Sequence, residues 1–298
     1  MNVVMLGGSG AGKTTYVSLM YRILADGIGG FSCRAADTAD HRRLLSSGDE
    51  VLAGVYPSAT SFREVHDLVL RHQGQDVFPF RWSDYRGSAL VQRSDDSPQA
   101  EELHQDLKRA DGIVLFHEAG PRPGRSGDDW LARRMTAAVL RSLGERDERP
   151  TPLVIAVTKC DLHAATGPDA AHRLRAPFSP LIAAVARTAH IRGAVVPLVC
   201  GPSPSGVLVP VLWTLRYGIQ GLMRQVRQAV EDAAAAGQRA AAKDTRWDRF
   251  ESWLTSQRSW RSISAQHYAA AAAQRARLEP LTAPAARLGD LLKEVDSF

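Results

Sequence analysis

The sequence has few of the cysteine, histidine and serine motifs that form several common kinds of functional site. It contains only three cysteines, Cys33, Cys160 and Cys200, which are far apart and form no C-x-x-C pair. Neither a disulfide framework nor a cysteine zinc site is therefore indicated, and a reducing cytoplasm is the expected location. None of the nine histidines falls in an H-E-x-x-H arrangement, and no serine forms the G-x-S-x-G elbow of a hydrolase.

Long apolar runs and a strong charge of one sign are also lacking. The most apolar late stretch, residues 207–223, is broken by Pro210 and Arg216 and falls short of a membrane span. We expect no signal peptide before the first predicted strand, because the phosphate loop begins at residue 7. The net charge of +5 comes mainly from arginines scattered among acids, with the excess in the C-terminal third. This charge is too dilute to indicate a nucleic-acid partner.

A glycine-rich stretch near the start, residues 7–14, fits the phosphate-loop pattern G-x-x-x-x-G-K-[ST] at every fixed position. An apolar strand-like run precedes it at residues 2–6, and a helix is predicted over residues 15–25. In a strand, glycine loop and helix that follow in this order, backbone N–H groups and the helix N-terminus can point at phosphate oxygens. The order also disfavours the alternative that the stretch is a glycine-rich turn that matches the pattern by chance. Lys13 is expected to reach the β- and γ-phosphates, and the Thr14 hydroxyl to ligate Mg²⁺. The residues predicted to bind the nucleotide here are Gly7, Gly8, Ser9, Gly10, Ala11, Gly12, Lys13, Thr14 and Thr15.

Strand-like and helical stretches alternate along the next part of the chain. Predicted helices cover residues 35–54, 99–109, 128–143 and 181–187, and predicted strands cover 112–116, 152–157 and 194–199. Residues 62–71 and 77–83 form two further strand-like runs joined by a short turn, which predicts an antiparallel hairpin. The alternation predicts an α/β fold, a three-layer phosphate-loop NTPase arrangement with a mostly parallel central sheet.

The C-terminal third has a different pattern. A long helix is predicted over residues 207–231, then an alanine-rich joint at 233–242. A tail over residues 245–276 places Trp247, Phe250 and Leu254 at helical spacing. We expect a nucleotide-binding domain over residues 1–235 and a helical C-terminal extension over 240–298. The apolar face of the tail either packs on the domain or docks a partner protein or lipid headgroups.

A D-x-x-G element follows the second strand of the predicted hairpin. Asp84 would hold Mg²⁺ at the tip of that strand, and the Gly87 backbone N–H could approach the γ-phosphate because no Cβ blocks it. The pattern is weak alone, since many turns contain Asp and Gly three residues apart. Its place at a strand end downstream of a phosphate loop makes it informative.

The segment Thr158-Lys159-Cys160-Asp161 ends another predicted strand and fits [NT]-K-x-D, the element that selects guanine. The Asp161 carboxylate could accept hydrogen bonds from N1–H and the exocyclic amine of guanine, and adenine offers no such pair of donors. The Lys159 stem would lie across the base plane. Cys200 and Gly201 end the last predicted strand, where a loop contacting the base would lie.

These three elements, in this order, resemble the Ras-like, translation-factor-related (TRAFAC) class of phosphate-loop GTPases over residues 1 to about 230. The resemblance implies that Thr60 is the switch threonine that senses Mg²⁺ and the γ-phosphate, with Ser58 or Ser61 as substitutes. The opening around the phosphate loop and the Pro-x-x-Thr loop are most similar to bacterial double-GTPase-type domains. Such domains are encoded among multi-gene signalling or conflict systems.

One position departs from the Ras-like pattern. The glutamine that orients the attacking water follows the D-x-x-G glycine in those enzymes, and Ser88 stands there in this chain. We therefore expect slow intrinsic hydrolysis. Arg86 either stabilises transition-state charge in place of the glutamine or is an exposed, solvated side chain. The resemblance makes Lys13, Thr60, Arg86 and Gly87 the candidate catalytic residues.

The leading hypothesis is a cytoplasmic switch that binds GTP or GDP with Mg²⁺, hydrolyses GTP slowly and is read by a protein effector or activating partner. The second hypothesis is a GTP-binding scaffold that hardly hydrolyses, for which Ser88 is the motivating feature. The third is an ATPase of the wider phosphate-loop class, and the base preference set by Asp161 distinguishes it from the other two.

Overall fold

The computed structural model describes residues 1–58, 63–85, 98–120, 128–145, 149–162, 169–242, 260–276, 278–295 and 297–298. The strands are β1 (Asn2–Gly7), β2 (Phe31–Ala35), β3 (Glu64–His72), β4 (Gln75–Asp84), β5 (Gly112–Glu118), β6 (Thr151–Thr158) and β7 (Ile191–Pro197). The helices are α1 (Lys13–Asp26), α2 (Thr38–Leu52), α3 (Pro98–Arg109), α4 (Asp128–Gly144), α5 (Ala170–Arg175), α6 (Ser179–Val185), α7 (Leu208–Ala242), α8 (Trp260–Ala276) and α9 (Glu279–Leu291).

The seven strands form one sheet in the order β2-β3-β4-β1-β5-β6-β7. Strands β4, β1, β5, β6 and β7 run parallel to one another, whereas β2, β3 and β4 pair in antiparallel fashion. The predicted hairpin and the mostly parallel α/β sheet are therefore confirmed. Because the carboxyl ends of parallel strands meet at one edge of a sheet, β1, β4, β5, β6 and β7 all end on the same side.

Helices cover both faces of this sheet. On one face, alternate residues of β1, such as Val4 and Leu6, join a buried core with side chains from α3, α4, α5 and α6. On the other face, the Tyr16 ring of α1 lies 5.0 Å from the Phe116 ring and 6.1 Å from the Trp82 ring, between centroids. Apolar side chains on both faces explain why the central strands read as continuous apolar runs.

Two parts of the chain differ from the sequence-based expectation. Strand β2 was not predicted, because polar residues interrupt it and it forms through pairing with β3, from Phe31 opposite His72 to Ala35 opposite Leu68. The predicted joint at residues 233–242 is wrong, since α7 continues to Ala242. Alanine has the highest helix propensity, and the alanines on both sides of Gly237 continue the helix through this single glycine, which costs only about 1 kcal/mol.

The chain divides into two compact units. One unit comprises Met1–Gly218 with Leu288–Phe298, and the other comprises Ile219–Arg287. Within the second unit, the Ser264 hydroxyl of α8 donates a hydrogen bond of 3.0 Å to the Gly237 carbonyl of α7. The division expected between residues 235 and 240 stays a prediction, and the tail aromatics Trp247 and Phe250 lie outside the described residues. Within the described ranges, no helix combines the length and apolarity that crossing a bilayer requires.

Helix α2 packs against α1 at Gly48, where an added methyl group would not fit. A Cβ at this position would lie 2.3 Å from the Arg22 Cβ and 2.7 Å from the Ser18 carbonyl oxygen. We expect Gly48→Ala to lower the free energy of unfolding by about 1–3 kcal/mol, because overpacking outweighs the helix propensity of alanine. The matched control is Gly144→Ala in α4, where nothing lies within 4 Å of the added Cβ. Urea denaturation of both variants checks this, and equal midpoints would contradict close α1–α2 packing.

Candidate functional site

The predicted site residues gather at the carboxyl edge of the sheet. Gly7 ends β1, Asp84 ends β4 and Thr158 ends β6, and Met5 of β1 lies opposite Asp84 in the strand register. A cavity of about 490 Å³, a volume typical of small-molecule sites, lies at this edge. Its lining residues are Ser9, Gly10, Ala11, Gly12, Lys13, Thr14, Thr15, Tyr56, Pro57, Ser58, Thr158, Lys159, Asp161, Leu162 and Cys200.

The loop between β1 and α1 has the backbone conformation that its glycines permit. Gly10 has a φ of 77° and Gly12 a φ of 82°, in the left-handed region that favours glycine. Gly12 is the N-cap residue of α1, and neither a side-chain cap nor an acidic residue satisfies the first turn of this 14-residue helix. Its N-terminal N–H groups and the positive end of its dipole therefore suit an anion.

Close packing beneath this loop explains its first two glycines. A Cβ on Gly7 would lie 2.8 Å from the Phe116 carbonyl oxygen, and a Cβ on Gly8 would lie 2.6 Å from the Leu131 Cδ2. The first contact is with backbone and cannot be relieved by a side-chain rotation. The loop is thus held down on β5 and α4 while its upper side faces the cavity.

Lys13 lies almost entirely inside the protein, with 7% of its surface exposed. Its Nζ donates hydrogen bonds to the Gly7 and Gly8 carbonyls, at 3.1 and 3.3 Å. Burial lowers the pKa of Lys13, and the negative charge of Asp84 opposes that shift. The ammonium group is therefore held over the loop by two neutral acceptors, where an additional anionic partner would stabilise its charge.

Thr14 and Asp84 meet at the other side of the loop. The Thr14 hydroxyl donates a 3.0 Å hydrogen bond to Asp84 Oδ2. Asp84 is 1% exposed, and its Oδ1 has no hydrogen-bond partner among the described residues. Burial raises the pKa of the Asp84 carboxyl, and Lys13 and then the Thr14 hydrogen bond act in the opposite direction. A buried carboxylate oxygen without a partner is costly unless a cation or donor binds to it.

This donor set fits Mg²⁺, which prefers carboxylate and hydroxyl oxygens and retains several waters. The described residues contain no cluster of three or more His, Cys, Asp or Glu side chains that could hold a metal ion. Thr14 and Asp84 would therefore hold the ion together with phosphate oxygens and water, as in other phosphate-loop sites.

Thr158 connects three parts of the site rather than pointing only into the cavity. Its buried hydroxyl lies 3.0 Å from the Ala11 carbonyl and 3.2 Å from the His117 carbonyl, both as acceptors. The Thr158 carbonyl in turn accepts a 2.9 Å hydrogen bond from the Ala119 N–H. The phosphate loop, the end of β5 and the end of β6 are therefore fixed to one another at this residue.

Lys159 follows with a φ of 59°, an uncommon value for a residue other than glycine. Its Nζ lies 3.1 Å from Glu118 Oε2, at the end of the neighbouring strand β5. The Glu118 side chain is 14% exposed and the Lys159 side chain 33%, so this ion pair is only partly screened by water. The pair directs the lysine stem along the wall of the cavity.

The outer part of the cavity carries the remaining predicted contacts. Asp161 is exposed, and Cys200 lines the same wall. Burial raises the pKa of Cys200 to about 12, with smaller contributions from Asp161 and Cys160, so its thiol is neutral at physiological pH. Gly201 does not line the cavity, but a Cβ on it would lie 2.9 Å from the Tyr56 hydroxyl. The loop after β7 therefore approaches the segment around Tyr56.

Two cavity features were not found from the sequence. Tyr56 lines the wall of the cavity, and 57% of its surface is exposed. The sequence feature that could have indicated this residue is an aromatic side chain in a polar loop, next to a proline. Glu118 becomes relevant only through the register that sets β5 beside β6, where it lies opposite Thr158. The predicted contacts Thr60, Arg86 and Gly87 lie outside the described residues, as does Ser88.

One family model matches the part of the chain that contains most of this site. The family model Double-GTPase 1 matches residues 4–166, which is more than half of the chain and includes all three sequence elements. A solved structure of the signal recognition particle receptor SRb-GTP/SRX complex from Chaetomium thermophilum is similar at 16% identity and a TM-score of 0.43. The similarity covers 72% of this chain and 96% of that one. No curated protein matches the chain.

The position of Thr158 gives a testable prediction. Thr158→Val keeps the side-chain shape but removes the donor shared by the Ala11 and His117 carbonyls, so we expect a loss of about 1–3 kcal/mol in unfolding free energy. Thr214→Val is the matched control, because among the described residues its buried hydroxyl bonds one acceptor, the Pro210 carbonyl one helical turn earlier, at 2.7 Å. Chemical denaturation of both variants measures the difference. Equal losses would contradict a special connecting role for Thr158.

Proposed function

The chain belongs to the Double-GTPase 1 family, and on that premise we propose that it is a molecular switch that binds GTP or GDP with Mg²⁺ and hydrolyses GTP slowly. The observation that carries the proposal is a single cavity. It is lined by the phosphate loop, by Thr14 beside Asp84, and by the Thr158–Asp161 segment. These three elements correspond to the phosphates, the metal ion and the base of one nucleotide.

The phosphate end of the cavity relies on backbone and on Lys13. The N–H groups of Ser9 to Thr15 would surround the phosphates, since the left-handed Gly10 and Gly12 turn the loop around the site. The Lys13 side chain would move so that its ammonium group, now bonded to the Gly7 and Gly8 carbonyls, contacts the β- and γ-phosphates. Its burial makes this charge interaction stronger than it would be in water.

The metal end relies on Thr14 and Asp84. Thr14 would ligate Mg²⁺ through its hydroxyl, and the Asp84 carboxylate would hold the ion directly or through a water molecule. When bound, the ion supplies charge that offsets the phosphates. The buried Oδ1 of Asp84 supports this role, because it has no other partner in the described part of the chain.

The base end relies on Asp161 for specificity. An exposed carboxylate beside Lys159, Leu162 and Cys200 could accept the two donors of a guanine edge. The Lys159 stem and the Tyr56 ring supply apolar surface for the base and ribose, and Cys200 and Gly201 complete the loop beside them. Thr158 acts by fixing this end to the phosphate loop.

Switching requires groups that sense the γ-phosphate. We assign Thr60 to ligation of Mg²⁺ and the Gly87 N–H to the γ-phosphate, following the resemblance in sequence. Arg86 is the candidate for stabilising transition-state charge, because Ser88 is too short to orient the attacking water as a glutamine does. These assignments make slow intrinsic turnover the expected behaviour.

The proposal extends to setting and partners. A switch of this family would act in the cytoplasm within a bacterial-type signalling or conflict system, read by a protein effector or accelerated by an activating partner. The nucleotide-binding domain would cover residues 1–235. The helical extension over 240–298 would then provide an interaction surface, for a protein or for lipid headgroups.

A second candidate function is a GTP-binding scaffold without significant hydrolysis. Ser88 favours this function, since it stands at the position where Ras-like enzymes have the glutamine that orients the attacking water. The scaffold would make the same contacts with the phosphates, the metal ion and the base as the switch does. Only the rate of phosphate release separates the two functions.

The base assignment is tested by Asp161→Asn. Asn can accept from N1–H but meets the guanine amine with its own amide donors, so we expect GTP affinity to fall by at least about a hundredfold. The amide N–H₂ can instead donate to the 2-oxo group of xanthine, so XTP should bind the variant more tightly than GTP does. Calorimetric titration with GTP, XTP and ATP measures this.

The control for that experiment is Asp67→Asn on β3, an exposed aspartate that pairs with Arg81 away from the cavity. It should leave all three affinities unchanged. An unchanged GTP affinity in Asp161→Asn, or tighter ATP than GTP binding by the unaltered chain, would contradict the guanine assignment and support the ATPase hypothesis.

Hydrolysis is tested under single-turnover conditions with saturating Mg²⁺. We expect phosphate release at about 10⁻⁴ to 10⁻³ s⁻¹, the scale of unassisted GTPases. Arg86→Ala should reduce this rate if the guanidinium stabilises transition-state charge, whereas Arg81→Ala should leave it unchanged. Release that is undetectable over hours would favour the scaffold, and a fast rate that survives Arg86→Ala would remove the role proposed for Arg86.

A further inference from the structure

Four side chains form an ion-pair and aromatic cluster next to Asp84, which we call the Arg63 cluster. Arg63 Nη1 lies 2.5 Å from Glu102 Oε1, and Nη2 lies 2.5 Å from Asp106 Oδ2. The guanidinium carbon lies 5.0 Å from the centroid of the Tyr85 ring. The Tyr85 hydroxyl also donates a hydrogen bond to Asp106 Oδ2. One arginine is therefore held by two carboxylates and one aromatic ring.

The cluster lies where the β3–β4 ladder ends. Glu64 lies opposite Asp84 in this antiparallel pair, Arg63 directly precedes β3 and Tyr85 directly follows β4. The contact between the Arg63 and Tyr85 side chains therefore lies one residue beyond the last pair of the ladder. On the opposite side, Asp84 is fixed by pairing with Met5 of β1. The Arg63 cluster therefore holds the side of Asp84 that β1 does not hold.

The two acids come from one face of α3. Glu102 and Asp106 are four residues apart, a spacing at which like charges repel and destabilise a helix. A guanidinium placed between them removes that repulsion and attaches α3 to the start of β3. The Asp106 side chain is 18% exposed, whereas the Glu102 side chain is 48% exposed, so water screens the Arg63–Asp106 ion pair less than it screens the Arg63–Glu102 pair.

Asp84 needs such an anchor because of its own environment. Its carboxylate is almost completely buried, with one oxygen that has no partner among the described residues. Burial of an incompletely bonded carboxylate costs free energy, so exposure of this group to water would be favourable unless other contacts hold the end of β4 in place. The side chain that follows directly, Tyr85, is packed in the core and bonded to α3, which opposes that displacement.

We infer that the Arg63 cluster positions Asp84 for Mg²⁺: Arg63, Tyr85 and Asp106 hold the end of β4 so that the Asp84 carboxylate stays beside the Thr14 hydroxyl. This inference rests on the proposed function, because it concerns the metal end of the same nucleotide site. Arg63, Tyr85 and Asp106 are positioning residues, since none of them lines the cavity. Residues that orient a metal ligand typically change metal affinity by 10–100-fold when altered.

The test measures the Mg²⁺ concentration for half-maximal GTP binding by the full chain, with a fluorescent GTP analogue as the probe. Arg63→Gln and Asp106→Asn should raise this concentration about tenfold or more. Affinity for the nucleotide in EDTA should stay within about twofold of the unaltered chain, because the phosphate loop and base end are untouched. Arg63→Lys keeps the charge but cannot bridge both acids, so it should give an intermediate value.

The matched control is Arg81→Gln. Arg81 also forms an ion pair between β3 and β4, at 2.8 Å to Asp67, but it lies three residues before Asp84 and both side chains are more than half exposed. The Arg81→Gln variant should require the same Mg²⁺ concentration for half-maximal GTP binding as the unaltered chain. Tyr85→Phe removes only the hydroxyl and retains the ring, so it provides a mild variant that tests the same point if Arg63→Gln does not fold.

A double variant tests whether Arg63 and Asp106 act on the Mg²⁺ requirement as one unit. If Arg63 and Asp106 act as one unit, Arg63→Gln combined with Asp106→Asn should raise the Mg²⁺ requirement no further than either change alone. Folded variants that bind GTP with an unaltered Mg²⁺ requirement would overturn the inference and leave the proposed function intact. No Mg²⁺-dependent nucleotide binding by the unaltered chain would overturn both.

Discussion

The burial of two opposite charges, Lys13 and Asp84, is the constraint on which the rest of the site depends. Each is less than one-tenth exposed, and burial shifts the pKa of each group toward its neutral form. Their mutual attraction acts against those shifts without reversing them. For each group the effect of burial on the pKa exceeds the effect of its partner, so a bound anion beside Lys13 and a bound cation beside Asp84 would each stabilise the charged form.

The topology of the sheet is what forces these charges together. Parallel pairing of β4, β1, β5 and β6 brings Asp84, Gly7, Glu118 and Thr158 to one edge, although they are widely separated in the chain. Thr158 then fixes the phosphate loop to the ends of β5 and β6 through one hydroxyl. The arrangement that we propose for phosphate, metal and base therefore follows from strand order, with few side chains needed to hold it.

The sequence could predict those parts of the molecule that local pattern determines. The phosphate loop, the strand-like runs around it and the hairpin turn each depend on neighbouring residues, and all appear in the structure. Strand β2 and the Glu118–Lys159 pair could not be predicted, because both exist only through pairing with a distant strand. The Arg63 cluster depends likewise on where α3 lies relative to β4, which no periodicity encodes.

The two ends of the cavity are supported by different halves of the sheet. The base end depends on the parallel strands β5, β6 and β7, through Thr158, Lys159 and the loop at Cys200. The metal end depends on β1 and on the antiparallel pair β3–β4, which α3 joins through Arg63. A partner that moved α3 would therefore change the environment of Asp84 while leaving the contacts of Asp161 in place. The proposed Mg²⁺ end and the proposed base end are joined through β1 and its phosphate loop, because β1 pairs with β4 on one side and with β5 on the other, and Thr158 bonds the loop at Ala11.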